Sequence, residues 1–199
     1  MIAVLDYGMG NLRSVARALE HAGGQVTVTA EPAVVQGADA LVVPGVGAFG
    51  ACMRNLRTSG LDEAICDFAR TGRPLLGVCL GMQVLFEASE EGAGAGLGLL
   101  PGVVARLPAS VRIPHMGWND VLWTSEHPFL RRISAGTRYY FVHSYAVQAA
   151  SAYTVGTAVH GRAFAAAVAR DNVFATQFHP EKSGAAGLAL YEAFVREAG

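Results

Sequence analysis

Cys79 sits between two glycines in Gly77-Val78-Cys79-Leu80-Gly81, a GxCxG pattern that follows the apolar run Pro74 to Val78. This is the thiol form of a nucleophile elbow, a strand-turn-helix corner in which small residues two positions to either side let a sharp turn hold the reactive atom clear of the sheet. A helix opening near Gly81 aims its first amides and its positive end at the sulfur, which favours nucleophilic attack. A thiol nucleophile needs a base, and the base needs an acceptor that orients it. Phe178-His179-Pro180-Glu181 offers both. In extended chain, positions i and i+2 project to one side, so His179 and Glu181 can meet while Pro180 stiffens the geometry between them. Cys79, His179 and Glu181 are therefore the expected catalytic triad. Acyl transfer from a thiolate also requires donors aimed at the oxyanion. The Leu80 amide is one candidate, and the loop Pro44-Gly45-Val46-Gly47 after the apolar run Ala40 to Val43 supplies others at Val46 and Gly47.

Other chemistries fit less well. Gly8-Met9-Gly10 follows the first strand, but the third glycine of a dinucleotide fingerprint would fall at Arg13, which leaves a tight turn into a helix. The remaining histidines (His21, His115, His127, His143 and His160) show no metal-ligand spacing, so neither a metal nor a cofactor is expected. Cys52, Cys66 and Cys79 form no CxxC pair and no disulfide framework, which points to a reducing, cytoplasmic compartment; Cys52 and Cys66 read as small core residues. With 199 residues and a formal net charge of -1, the chain lacks the electrostatic footprint of a nucleic-acid binder. No stretch approaches the roughly 18 apolar residues of a membrane span, and no leader peptide is visible.

Hydrophobic residues make up 52% of the sequence, enough for one domain over residues 1–199 with a sizeable core. The first half alternates short apolar runs (Ile2 to Leu5, Gln25 to Thr29, Ala40 to Val43, Pro74 to Val78) with helical stretches: Leu12, Val15, Ala16 and Leu19 at helical spacing, then Ala48 to Thr58 and Leu61 to Arg70. That alternation predicts an α/β fold, a mostly parallel central sheet with helices on both faces. The second half reads as strands at Val103 to Leu107, Val121 to Thr124, Tyr139 to Val147, Tyr153 to Val159, Phe164 to Ala169 and Val173 to Phe178, with turns at His160-Gly161 and Asp171-Asn172. These add antiparallel hairpins, and Ala185 to Glu197 closes the chain as a helix. Gly92 to Gly98, almost only Gly and Ala, reads as a flexible loop.

GVCLGMQ at Gly77 to Gln83, PGVG at Pro44 to Gly47 and HPEK at His179 to Lys182, in that order, resemble the class I, triad-type glutamine amidotransferases. The resemblance covers most of the chain and implies a flavodoxin-like fold and a glutaminase activity. Cys79 would attack the side-chain amide of glutamine, His179 would pass the proton to departing ammonia, and Glu181 would hold the imidazole. It also implies that Gln83, His143, Ser144 and Tyr145 bind glutamine, and that Gly47 and Leu80 surround the oxyanion. Asp6-Tyr7-Gly8-Met9-Gly10-Asn11-Leu12 and Pro114-His115-Met116-Gly117-Trp118-Asn119 narrow the likeness to members that hand ammonia to a (β/α)8-barrel cyclase subunit as a heterodimer. Tyr7, Asn11, Met116, Trp118, Asn119 and Lys182 are then expected on the docking face. Alternatives are a class I glutaminase serving another biosynthetic partner, and a stand-alone γ-glutamyl hydrolase.

Overall fold

The structure, a computed structural model, describes residues 1–92, 94–124, 127–130, 133, 137–149 and 152–199. Its first half runs β1 (Ile2–Leu5), α1 (Leu12–His21), β2 (Val26–Thr29), α2 (Pro32–Gly37), β3 (Ala40–Val43), α3 (Phe49–Ser59), α4 (Leu61–Arg70), β4 (Leu75–Val78) and α5 (Leu80–Gln83). There follow β5 (Phe86–Ser89), β6 (Leu100–Arg106), β7 (His115–Trp123), β8 (Thr137–His143), β9 (Tyr145–Val147), β10 (Thr154–His160), β11 (Arg162–Arg170), β12 (Val173–Thr176) and α6 (Gly184–Glu197).

A nine-stranded sheet in the order β2-β1-β3-β4-β12-β11-β10-β7-β8 forms the centre. Its first five strands pair in parallel and the remaining ones antiparallel, as the change of pattern at mid-chain leads one to expect. Four strands of the parallel half (β1, β3, β4, β12) are buried along their whole length, which is why they read as unbroken apolar runs. Alternation along them feeds two cores. Leu5, Leu41, Val43 and Leu75 pack under α2, α3 and α4, while Val4, Val42, Leu76, Val78 and Phe174 pack under α1 and α6. A second sheet, β5-β6-β9, lies outside this frame.

Several elements depart from the expectations. The stretch Tyr139 to Val147 is two strands in two sheets, because the chain breaks at Ser144. β7 starts at His115, well ahead of Val121, since cross-strand pairing with β8 carries it through glycine and polar residues. The helix after Cys79 is a single turn, so the macrodipole argument shrinks to the first few amides of that turn. Of the Gly92 to Gly98 loop, Ala93 lies outside the described residues. The loop's end is tethered: the Gly96, Leu97 and Gly98 amides donate to the Glu87, Val84 and Phe86 carbonyls, and at Gly96 a Cβ would sit 2.0 Å from the Phe86 carbonyl oxygen.

Close by the elbow, the fold leaves no room at Gly81. An ideal Cβ there would sit 1.8 Å from the Val43 carbonyl oxygen, so β3 and the turn after β4 can approach only through a glycine. Gly81→Ala is expected to cost roughly 3 kcal/mol or more, the upper range for overpacking. Urea denaturation of the two proteins measures it, and equal midpoints would show that the turn yields easily.

Candidate active site

Cys79 follows β4 directly and adopts φ 55, ψ -107, a left-handed conformation for a residue with a Cβ. This conformation lifts the side chain out of the sheet line, and the elbow expected from GxCxG is formed. The Cys79 amide donates to the Thr176 carbonyl at 2.7 Å, adding one rung to the β4–β12 pairing. Its thiol donates to the Val142 carbonyl (4.0 Å) and accepts from Gln177 Nε2 (3.7 Å).

β12 ends at Thr176, earlier than Phe178, and the chain then crosses toward β8, where the His179 amide donates to the Tyr140 carbonyl. His179 itself is extended, but Pro180–Lys182 is a 3-10 turn. The His179–Glu181 pair thus forms through that turn rather than through an extended i, i+2 step. His179 Nδ1 donates to Glu181 Oε1 at 2.8 Å, with side chains 2% and 1% exposed. Asn11 Nδ2 reaches the same oxygen at 3.5 Å, and Ser183 Oγ ties the turn down by donating to the His179 carbonyl and accepting from the Tyr140 amide. Burial alone would lower the imidazole's pKa, but the adjacent Cys79 sulfur and the Glu181 carboxylate together push it up to about 10. Its Nε2 is within electrostatic reach of the sulfur yet makes no hydrogen bond among the described residues, a loose contact of the kind unliganded catalytic sites show. Tyr191 of α6 backs Glu181; burial first, then the carboxylate's charge, keeps its phenol protonated.

These groups open onto a cavity of about 230 Å³, a size suited to an amino acid rather than a nucleotide. Val46, Gly47, Cys79, Leu80, Gln83, His143, Ser144, Tyr145 and His179 all line it, so the expected nucleophile, base, oxyanion and glutamine-binding residues converge. Gln83 is 4% exposed, and its amide donates to the Tyr145 carbonyl and to Gln177 Oε1. Gly47 has φ +101, and Tyr7 fixes the start of its loop by donating to the Pro44 carbonyl at 2.5 Å.

One expectation for the docking face is corrected: Tyr7 is buried beneath the Pro44 loop. Asn119 is half-buried, and its amide bonds His115 and the Val159 carbonyl. Asn11 faces the triad. Met116 (63% exposed) and Trp118 (49%) do stand outside, beside Tyr140, over whose ring Lys182 places its ammonium at 5.9 Å. Glu91 and Gln177 were not singled out from sequence. Glu91 is the carboxylate in the cavity wall, accepting from the Phe49 amide at the start of α3; its only signal was its place at the edge of the Gly-rich loop. Cys52 is buried, which pushes its thiol up to about 11 despite the nearby Tyr7 hydroxyl, and Cys66 is also raised by burial. Among the described residues, no group of three or more His, Cys, Asp and Glu could hold a metal ion, and no helix is long and apolar enough to cross a membrane.

The Glutamine amidotransferase class-I family matches residues 3–198, and the chain belongs to it. Among solved structures, a glutamine amidotransferase superposes with a TM-score of 0.77 at 21% identity, covering 100% of this chain and 98% of the other. The glutaminase domain of Trypanosoma brucei CTPS with bound acivicin gives 0.73 at 21% identity, covering 99% and 92%. Within the family, the chain is 50% identical to imidazole glycerol phosphate synthase subunit HisH of Nitrosospira multiformis, over 98% of this chain and 97% of that one. It is 49% identical to the same subunit of Moorella thermoacetica, over 100% and 97%.

The raised His179 pKa has a sign that can be checked. A group held above its ordinary 6.5 contributes stability that is complete below about pH 6.5 and is lost as pH rises toward about 10. The stability advantage of the wild type over Glu181→Gln, from urea denaturation at fixed salt, is expected to narrow steadily across that window. A constant advantage would show that no imidazolium faces the carboxylate.

Proposed function

We propose that this chain is the glutaminase subunit of imidazole glycerol phosphate synthase, hydrolysing glutamine to glutamate and ammonia and passing the ammonia to a (β/α)8-barrel cyclase subunit in histidine biosynthesis. The observation that carries the reading is the convergence of the Cys79 sulfur and the buried His179–Glu181 pair on one amino-acid-sized cavity. The half-identity to HisH subunits over the whole chain supports the choice of partner over the other class I glutaminases and over a free-standing hydrolase.

The Cys79–His179 pair reacts as thiolate and imidazolium, the state in which the ring keeps its proton as its raised pKa favours, and the sulfur attacks the carboxamide carbon of glutamine. The Leu80 amide and the Val46–Gly47 backbone stabilise the oxyanion, each well-aimed donor being worth about 2.7–4 kcal/mol in the transition state. The imidazolium then protonates the leaving nitrogen, and ammonia departs as the γ-glutamyl thioester forms. Water, deprotonated by His179, opens the thioester and regenerates the thiol. Glu181 holds the ring through Nδ1 throughout. The Glu91 carboxylate suits the α-ammonium of the substrate, while the backbone of His143, Ser144 and Tyr145 and the Gln83 wall fix its position. Ammonia released into neutral water would be mostly protonated and unreactive, so a dry route into the cyclase preserves the nucleophile. There, by the resemblance, it converts a phosphoribulosyl aminoimidazole carboxamide ribotide into imidazole glycerol phosphate and AICAR. Met116, Trp118 and Lys182, exposed beside the triad's turn, are the residues that dock the partner.

Cys79→Ala is expected to lower glutamine-dependent ammonia production by about 10³-fold or more while the cyclase still works on added ammonium salts. Unchanged glutamate release in that variant would remove the triad assignment. Trp118→Ala is expected to weaken the heterodimer by about tenfold or more, as loss of a large aromatic anchor does. Sedimentation of mixed subunits measures it, and an unaltered dissociation constant would move the docking face elsewhere.

A further inference from the structure

The segment that begins β7 turns two side chains toward the interior that the chemistry above leaves unused, the buried His115 and the half-buried Asn119. They form one end of a hydrogen-bonded series whose direction is fixed from the other end. His143 Nδ1 lies 2.9 Å from the Tyr145 carbonyl. A carbonyl only accepts, so the proton is on Nδ1 and His143 Nε2 is left as an acceptor. His115 Nδ1, 2.9 Å from that Nε2, must therefore donate, which makes His115 Nε2 an acceptor in turn. Asn119 Nδ2 fills it at 3.2 Å and gives its second proton to the Val159 carbonyl at 2.9 Å, while Asn119 Oδ1 accepts the Asp120 amide and so fixes the amide's orientation. The His115 ring is clamped between Phe141 (centroids 5.0 Å apart) and His160 (4.2 Å).

Both rings stay neutral. Burial pushes His143 down to about 3 against the help of the Tyr145 carbonyl, with smaller lowering by the His115, His160 and His179 imidazoles, and burial with His160 pushes His115 down to about 4. The Tyr145 carbonyl at the end of the series also accepts from Gln83, and His143, Ser144, Tyr145 and Gln83 all line the cavity.

We propose that His115 and Asn119 are positioning residues for the glutamine pocket: the ordered series Asn119 to His115 to His143 to Tyr145 fixes the His143 tautomer and so holds the Ser144–Tyr145 backbone against the substrate. This rests on reading the cavity as the glutamine site. It gives the PHMGWN segment a second task, with its outward residues free to dock and its inward ones tied to the pocket.

Two variants separate hydrogen bonding from packing. His115→Phe keeps the stacked ring but removes the donor, whereas His115→Asn restores a donor near the Nδ1 position. In the complex with the cyclase, His115→Phe is expected to raise the glutamine KM about three- to tenfold, the scale of one buried neutral hydrogen bond, with kcat within about twofold, and His115→Asn to recover most of the loss. Ring nitrogen correlation spectra of the 15N-labelled chain are expected to show Nδ1–H on both His115 and His143 in the wild type. If His115→Phe fails to fold, Asn119→Ala takes its place, with the His115 ring moving to Nε2–H and the KM rising. An Nε2–H tautomer at either wild-type ring, an unchanged KM in His115→Phe, or equal impairment in both His115 variants would overturn the proposal. A wild-type complex that releases no glutamate overturns the glutaminase reading instead, and the spectra still decide whether the series exists.

Discussion

The Cys79 amide and the Thr176 carbonyl join segments that the sequence keeps far apart, and their bond at 2.7 Å extends the parallel register of β4 on β12 by one residue. Parallel strands cannot be joined by a tight turn, and here the intervening chain is long enough to build four more strands of the sheet. Closing so long a loop costs little more than closing a moderate one, because the entropy grows only with the logarithm of length. Against it stands the burial of Leu75, Leu76, Val78 and Phe174, each contributing roughly 1.5–3 kcal/mol. The hydrophobic pairing of two plain strands thus sets the position of a sulfur relative to an imidazole.

What the pairing assembles is locally unfavourable. A left-handed residue with a side chain costs on the order of 1–3 kcal/mol, and Cys79 is held there because β3 presses on Gly81 from one side and the Thr176 rung pulls from the other. The imidazole and carboxylate beside it are almost wholly buried, an arrangement in which removing either partner costs more than the pair itself is worth. Asn11 and Ser183 reduce that exposure to loss by giving the turn further hydrogen bonds.

Much of this was readable because it was local. β1, β3 and β4 are unbroken apolar runs, GxCxG specifies its own turn, and His179 and Glu181 are two residues apart. Elements without such a signature were missed. α2 packs only Val35 and has no apolar period, β5 is half-exposed, and the turn after Cys79 stops at Gln83 because the chain must reach β5. Residues whose direction depends on a neighbour were harder still. Tyr7 and Asn119 have the composition of surface groups and turn toward partners at Pro44, His115 and Val159, while Glu91 meets the cavity, and Gln177 the Cys79 sulfur, only through tertiary pairing.

The base directly precedes the 3-10 turn that carries its acceptor, and a 2.8 Å hydrogen bond joins the two, so their mutual geometry is set locally. Only one long-range separation, from that turn to the elbow, has to be preserved for the three groups to work together. The outward-facing side chains of the hairpins between β4 and β12 can therefore vary and acquire new surfaces in descendants of this fold, so long as the inward contacts of β7 and β8 with the pocket and the turn are kept.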